Sequence, residues 1–143
     1  MITLLVSLAA ATPTVDLLRL RDAVPCTSLG ATTPELRAEL LGLAQGEEMP
    51  PWVPMRAADC LVTLYAADPT LRETLLPWMA DPERAGLALL VLDRIDLLPT
   101  ATAVPLATAA AGVADALWAT RFRDRILRSA QPEVRAVVDG VVR

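Results

Sequence analysis

The chain contains no lysine, no histidine and no asparagine, and all thirteen of its basic residues are arginine. Without histidine there is no Ser-His or Cys-His nucleophile pair and no imidazole ligand for a metal. Without lysine there is neither a Schiff-base nucleophile nor the cation of a Walker phosphate loop. Aromatic residues are almost as scarce: Trp52, Tyr65, Trp78, Trp118 and Phe122 are the whole set. That is too few for a base-stacking nucleic-acid surface or a sugar-binding platform. Strand-forming runs are also missing apart from a short valine-rich stretch at 137–142. Carboxylates are the one remaining route to catalysis. Asp93 and Asp96 stand three apart on an expected helix and Glu47-Glu48 lie in an expected loop. Neither pair has a histidine or cysteine beside it, so both are expected to be solvated surface charges, and no enzyme activity, metal or cofactor is expected.

What is present is leucine and alanine. A chain of 143 residues with 54% hydrophobic content and mean hydropathy +0.43 has enough apolar surface for one core, and its composition favours helix. One phrase recurs, in which a polar residue precedes proline and an arginine follows within three residues. It occurs as Thr33-Pro34-Glu35-Leu36-Arg37, Asp68-Pro69-Thr70-Leu71-Arg72, Asp81-Pro82-Glu83-Arg84 and Gln131-Pro132-Glu133-Val134-Arg135. A capping residue followed by proline at the first helical position starts a helix, so several short helices begin in one way. The expected helices are 15–24, 34–44, 54–67, 69–80, 82–98, 100–112, 113–130 and 132–142, with 46–53 as the one clear loop. The connections are short, which makes consecutive helices antiparallel. Residues 85–92 are apolar on every side and mark a central helix.

Short helix pairs joined by Asp-Pro, with Arg56-Ala57-Ala58, Arg84-Ala85 and Arg135-Ala136 early in the following helices, resemble HEAT-like repeats over residues 54–142. The resemblance implies an all-α stack of antiparallel hairpins, a short α-solenoid whose concave side binds another protein, and it carries no catalytic residues. The intervals between phrases are uneven, and an irregular helical bundle is the alternative architecture.

Residues 1–11 are uncharged and apolar, and Ala9 and Ala11 match a small-x-small cleavage signature. They are expected to be a signal peptide preceding a single helical domain at 12–143; a buried first helix is the other reading. Export makes Cys26 and Cys60 a disulfide pair in a periplasmic or secreted protein, whereas in the cytoplasm they would be two small buried residues. The uncharged run 97–114 is not expected to span a membrane, because Pro99 and Pro105 interrupt it and its bulk is alanine and threonine.

Residues 116–143 carry six arginines against three carboxylates, while the rest of the chain is acidic. Arg121, Arg125 and Arg128 fall on one helical face, either as a grip on an acidic partner or as a solvated stripe. Trp52, in the loop beside Glu47 and Glu48, is either a contact residue or a plug between helices. A net charge of −4 argues against nucleic acid. The expected function is a protein-binding scaffold with Trp52, Arg121, Arg125 and Arg128 as contacts; the alternative is a structural or capping segment of a larger helical assembly or homo-oligomer.

Overall fold

The capping phrases become helix starts in the computed structural model, which describes residues 13–142; the expected signal segment 1–11 lies outside the described residues. The Thr33 hydroxyl accepts the Leu36 N–H at 3.1 Å and starts α2 (Pro34–Gln45). Asp68 accepts from both the N–H and the hydroxyl of Thr70, at 2.9 and 2.8 Å, and this turn leads into α4 (Leu71–Ala80). Asp81 caps a 3-10 turn (Pro82–Arg84) that runs into α5 (Ala85–Asp93). Around them lie α1 (Thr14–Arg19), α3 (Trp52–Leu64), α6 (Thr100–Ala111), α7 (Ala116–Leu127), α8 (Pro132–Arg135) and α9 (Val137–Val142). No strand occurs among the described residues.

Several boundaries differ from expectation: α3 ends at Leu64 rather than at 67, α7 spans Ala116–Leu127 rather than 113–130, and the helix expected over 132–142 is divided into α8 and α9. Three further differences have a local reason. Helix α1 stops at Arg19 rather than at 24, because the Arg56 guanidinium takes the carbonyls of Leu18, Leu20 and Arg21. The segment expected as one helix from Pro82 to Leu98 is divided. Arg94 leaves helical geometry, and Pro99 holds Leu98 extended at φ −91°, ψ 143°. Helix α3 begins at Trp52, before Pro54, because a proline in the first turn lacks only an N–H that has no intrahelical partner. Two prolines also sit inside helices, Pro77 in α4 and Pro105 in α6. The carbonyls they leave without an intrahelical donor belong to Glu73 and Ala101, both exposed residues.

Packing partners are close in sequence. Helix α2 packs on α3, α3 on α1 and α5, α4 on α5 and α6, α5 on α7, and α6 on α7, α8 and α9. The core they enclose contains Leu40, Leu61, Leu71, Leu75, Trp78, Leu106, Phe122 and Ile126, all 2% exposed or less.

Polar contacts join alternate helices, like end to like end in all but the pair of Arg94 with Asp59, which lies mid-way along α3. Arg94, just past α5, donates to Asp59 of α3 at 2.9 Å, and Arg125, late in α7, reaches Asp93 at the end of α5 at 2.7 Å. On the other set, Arg37 in the first turn of α2 bonds Thr74 in the first turn of α4 at 2.9 Å. The Trp78 indole near the end of α4 donates to Gln45 at the end of α2 at 3.3 Å. Thr100, first in α6, bonds Gln131, the residue that precedes α8, at 2.9 Å. The run 97–114 folds into a helix of 12 residues, and no helix among the described residues is long and apolar enough to cross a membrane.

Candidate binding surfaces

Trp52 is neither in a loop nor a plug: as the first residue of α3 it stays 39% exposed, beside Met49 at 64% and Met55 at 38%. A rigid frame holds it. The Arg56 guanidinium lies 5.2 Å from the ring centroid, and the same guanidinium is fixed by the three carbonyls that end α1. Arg19 completes the frame by donating to the Met49 carbonyl at 3.1 Å and to Glu48 at 2.5 Å. Leu20, 48% exposed, adjoins them through its own carbonyl bond to Arg56. The result is a set of exposed apolar side chains whose aromatic member packs against a guanidinium that is itself fixed by backbone carbonyls. Beneath it, Cys26 and Cys60 are joined by a disulfide with Cα atoms 5.3 Å apart, which ties the segment after α1 to the buried face of α3.

The arginine stripe on α7 is mostly engaged within the fold. Arg125 is paired with Asp93, and the Arg121 guanidinium lies 5.0 Å over the Trp118 ring. Arg128 is exposed at the edge of a shallow hollow that also contains Asp93, Asp96 and Ser129. Asp96, expected to be solvated, accepts from the Ser129 hydroxyl at 2.5 Å and the Ala130 N–H at 2.9 Å, holding the chain where it turns from α7 to α8. Spacing along the helix predicts which arginines share a face, but it carries no information about the carboxylates that another helix brings to that face.

A third feature had no single signal in the sequence. Between the ends of α4 and α6 and the start of α7 lies a cleft of about 270 Å³. Its floor is Met79, Ala85 and Phe122, all buried, and Trp118 forms a wall stacked on Phe122 with ring centroids 5.8 Å apart. Asp81 and Asp115 stand on its rim. Each gives one oxygen to a cap, Asp81 to the Glu83 N–H and Asp115 to the Trp118 N–H, both at 3.0 Å. Asp81 is also 3.3 Å from Arg84, while Asp115 has no ion-pair partner among the described residues. The visible clue was Asp115 followed by Trp118 and Phe122 at helical spacing; expecting the helix to start at 113 concealed the cap.

Two ionisable groups are perturbed, both at the contact between the start of α2 and the connection from α3 to α4. The Thr70 N–H and hydroxyl, with help from Arg37, hold the Asp68 carboxyl below the usual carboxylate range. Burial pushes the Tyr65 phenol up, and its hydroxyl donates to the Thr33 carbonyl at 2.7 Å. Among the described residues no three histidine, cysteine, aspartate or glutamate side chains group so as to hold a metal. Comparison with protein-family models, with curated proteins and with solved structures finds no match to this chain.

Proposed function

We propose that the protein is a non-enzymatic module that holds a protein partner, built as a short HEAT-like stack of antiparallel helical hairpins. The observation that carries this is the exposed Trp52 cluster on its rigid frame. Large aromatic side chains supply most of the binding energy in protein interfaces, and one already packed against a fixed group loses less entropy on association. Met49 and Met55 add adaptable apolar area around it. The stack is supported by the joining of like ends in alternate helices, since parallel placement of every second helix is the arrangement of a two-layered array. Export is supported by the Cys26–Cys60 bond, which persists only under oxidising conditions, together with the apolar start of the sequence.

The test is co-purification by crosslinking from the native source, comparing the wild type with the double variant Trp52→Ala and Met55→Ala. We expect one protein to be captured by the wild type and lost from the variant, with the variant's helicity and melting unchanged. A partner that survives the double substitution would remove this cluster from the interface. Sedimentation equilibrium separates the alternative, a segment that assembles with copies of itself: a monomer supports the module, and a stable oligomer that dissociates in the double variant supports assembly.

A further inference from the structure

We propose that the cleft between α4, α6 and α7 receives an apolar side chain from a basic segment of the partner, and that Asp115 pairs with a cationic group beside that side chain. This rests on the protein-binding reading above and adds the chemistry of the partner. Three observations meet there. The first is the cavity itself: about 270 Å³ with a buried apolar floor and an aromatic wall, a size that accepts one large aliphatic or aromatic side chain.

The second is charge at its rim. The connections entering α3, α5 and α7 (46–51, 81–84 and 112–115) carry five carboxylates and one arginine. They lie side by side. Arg84 bonds Gln45 at the end of α2 at 3.0 Å, and residues 79–82 share the cleft with 112–115. Arg19 neutralises Glu48, and Arg84 neutralises Asp81, but Asp115 retains an unpaired charge next to the opening. A cation placed there forms a charge-assisted bond with an oxygen already oriented by its cap.

The third is adjacency. Arg84 of one connection bonds Gln45, and the next connection after Gln45 carries Met49 and leads to Trp52, so the cleft and the exposed cluster belong to adjoining connections. A basic peptide is therefore favoured over an acidic one. Arg121 lies 5.0 Å from the centroid of the Trp118 wall and is itself a cation at the cleft, so the preference for a basic segment rests on Asp115 rather than on the edge as a whole.

Fluorescence anisotropy with three labelled twelve-residue peptides tests this directly: one of alternating leucine and arginine, one with arginine replaced by glutamate, and one with leucine replaced by serine. The first should bind, with affinity falling as salt rises, and the other two should bind at least tenfold more weakly. Ala109→Phe, at a residue that lines the cleft, and Ala114→Trp, which blocks the exposed rim, should each weaken binding at least tenfold. Asp115→Asn keeps the oxygen that caps α7 and should weaken binding about fivefold while flattening the salt dependence.

Helicity and melting of each variant establish that it is folded, and Ala114→Trp decides the matter if Ala109→Phe is not. Equal binding of the acidic peptide would overturn the proposal, as would affinity that is unchanged in the folded cleft variants. Binding to phospholipid vesicles with none to the leucine-arginine peptide would overturn it in favour of a membrane surface. Loss of peptide binding in Trp52→Ala with full retention in both cleft variants would overturn the cleft and leave the protein-binding reading standing. A wild type that binds none of the three peptides overturns the cleft alone, because crosslinking at Trp52 tests the wider reading separately.

Discussion

At the scale of single residues, arginine does most of the polar work that lysine, histidine and asparagine share in other proteins. Arg37 is the clearest case: it reaches Asp68 at 3.0 Å, Thr70 at 3.2 Å and Thr74 at 2.9 Å, and its pair with Asp68 is mostly shielded from solvent. Arg37→Ala should cost about 1 to 2 kcal/mol, measured by urea denaturation at neutral pH, because three bonds are lost at once. The same site gives a pH signature. Asp68 has its folded pKa held below the unfolded value, so its contribution is present above that unfolded value and is lost as pH falls through the folded one. The stability gap between wild type and Asp68→Asn should therefore close as pH is lowered below about 4. Tyr65 works in the opposite sense. Its raised pKa makes its contribution complete below the ordinary phenol value and lost as pH rises from there through the folded value, so Tyr65→Phe should abolish an alkaline loss of stability above about pH 10. A gap that stays constant across the acid range would show that the Thr70 and Arg37 contacts do not favour the charged carboxylate.

At the scale of elements, the helix starts marked by Thr33, Asp68 and Asp81 were legible, whereas the starts of α3 and α7 and several helix ends were not. Thr33, Asp68 and Asp81 act within two or three residues of themselves, so their capping roles depend on local sequence alone. The end of α1 depends instead on Arg56, more than thirty residues away, and no local pattern foretells it. The same reasoning explains the sites. The exposure of Trp52 turned on whether Pro54 opens a helix or lies within its first turn, and the cleft exists only because residues near 80 and 115 are brought together. The α1 segment rests on the Arg56 fork, the bonds of Arg19 to Met49 and Glu48, and the disulfide, and makes its packing contacts with α3. A bond closing 34 residues is worth about 3 to 4 kcal/mol through the restricted unfolded chain. Reduction with a thiol, or Cys26→Ser, should lower stability by about that amount. Amide exchange should speed up first in 14–30, as the less attached element opens below the global transition. Protection in 14–30 that survives reduction would show that the Arg56 and Arg19 contacts and the packing on α3 hold α1 without the disulfide.

At the scale of the whole molecule, the proposed stack and an irregular bundle differ in how far damage spreads, and a mutation can tell them apart. In a stack each helix touches only near neighbours, so stability is close to a sum of local terms and damage stays local. In a bundle with one shared centre, loss anywhere is felt everywhere, as in an all-or-none transition. Leu40 of α2 and Ile126 of α7 are both fully buried, and their helices share no substantial contact. Truncating either to alanine removes similar apolar volume and should cost about 2 to 5 kcal/mol where it acts. Native-state hydrogen exchange reads where that is. In a stack, Leu40→Ala lowers protection in α2, α3 and α4 and leaves α7 and α8 near their wild-type values, and Ile126→Ala does the reverse. Besides the packing of α3 on α5 and of α5 on α7, the ion pairs Asp59 to Arg94 and Asp93 to Arg125 tie these elements together. Asp93→Ala should therefore make the two responses more independent. Were Leu40→Ala to lower protection equally from α2 through α8, the packing would be one cooperative centre, and the two-layered array would lose its physical basis.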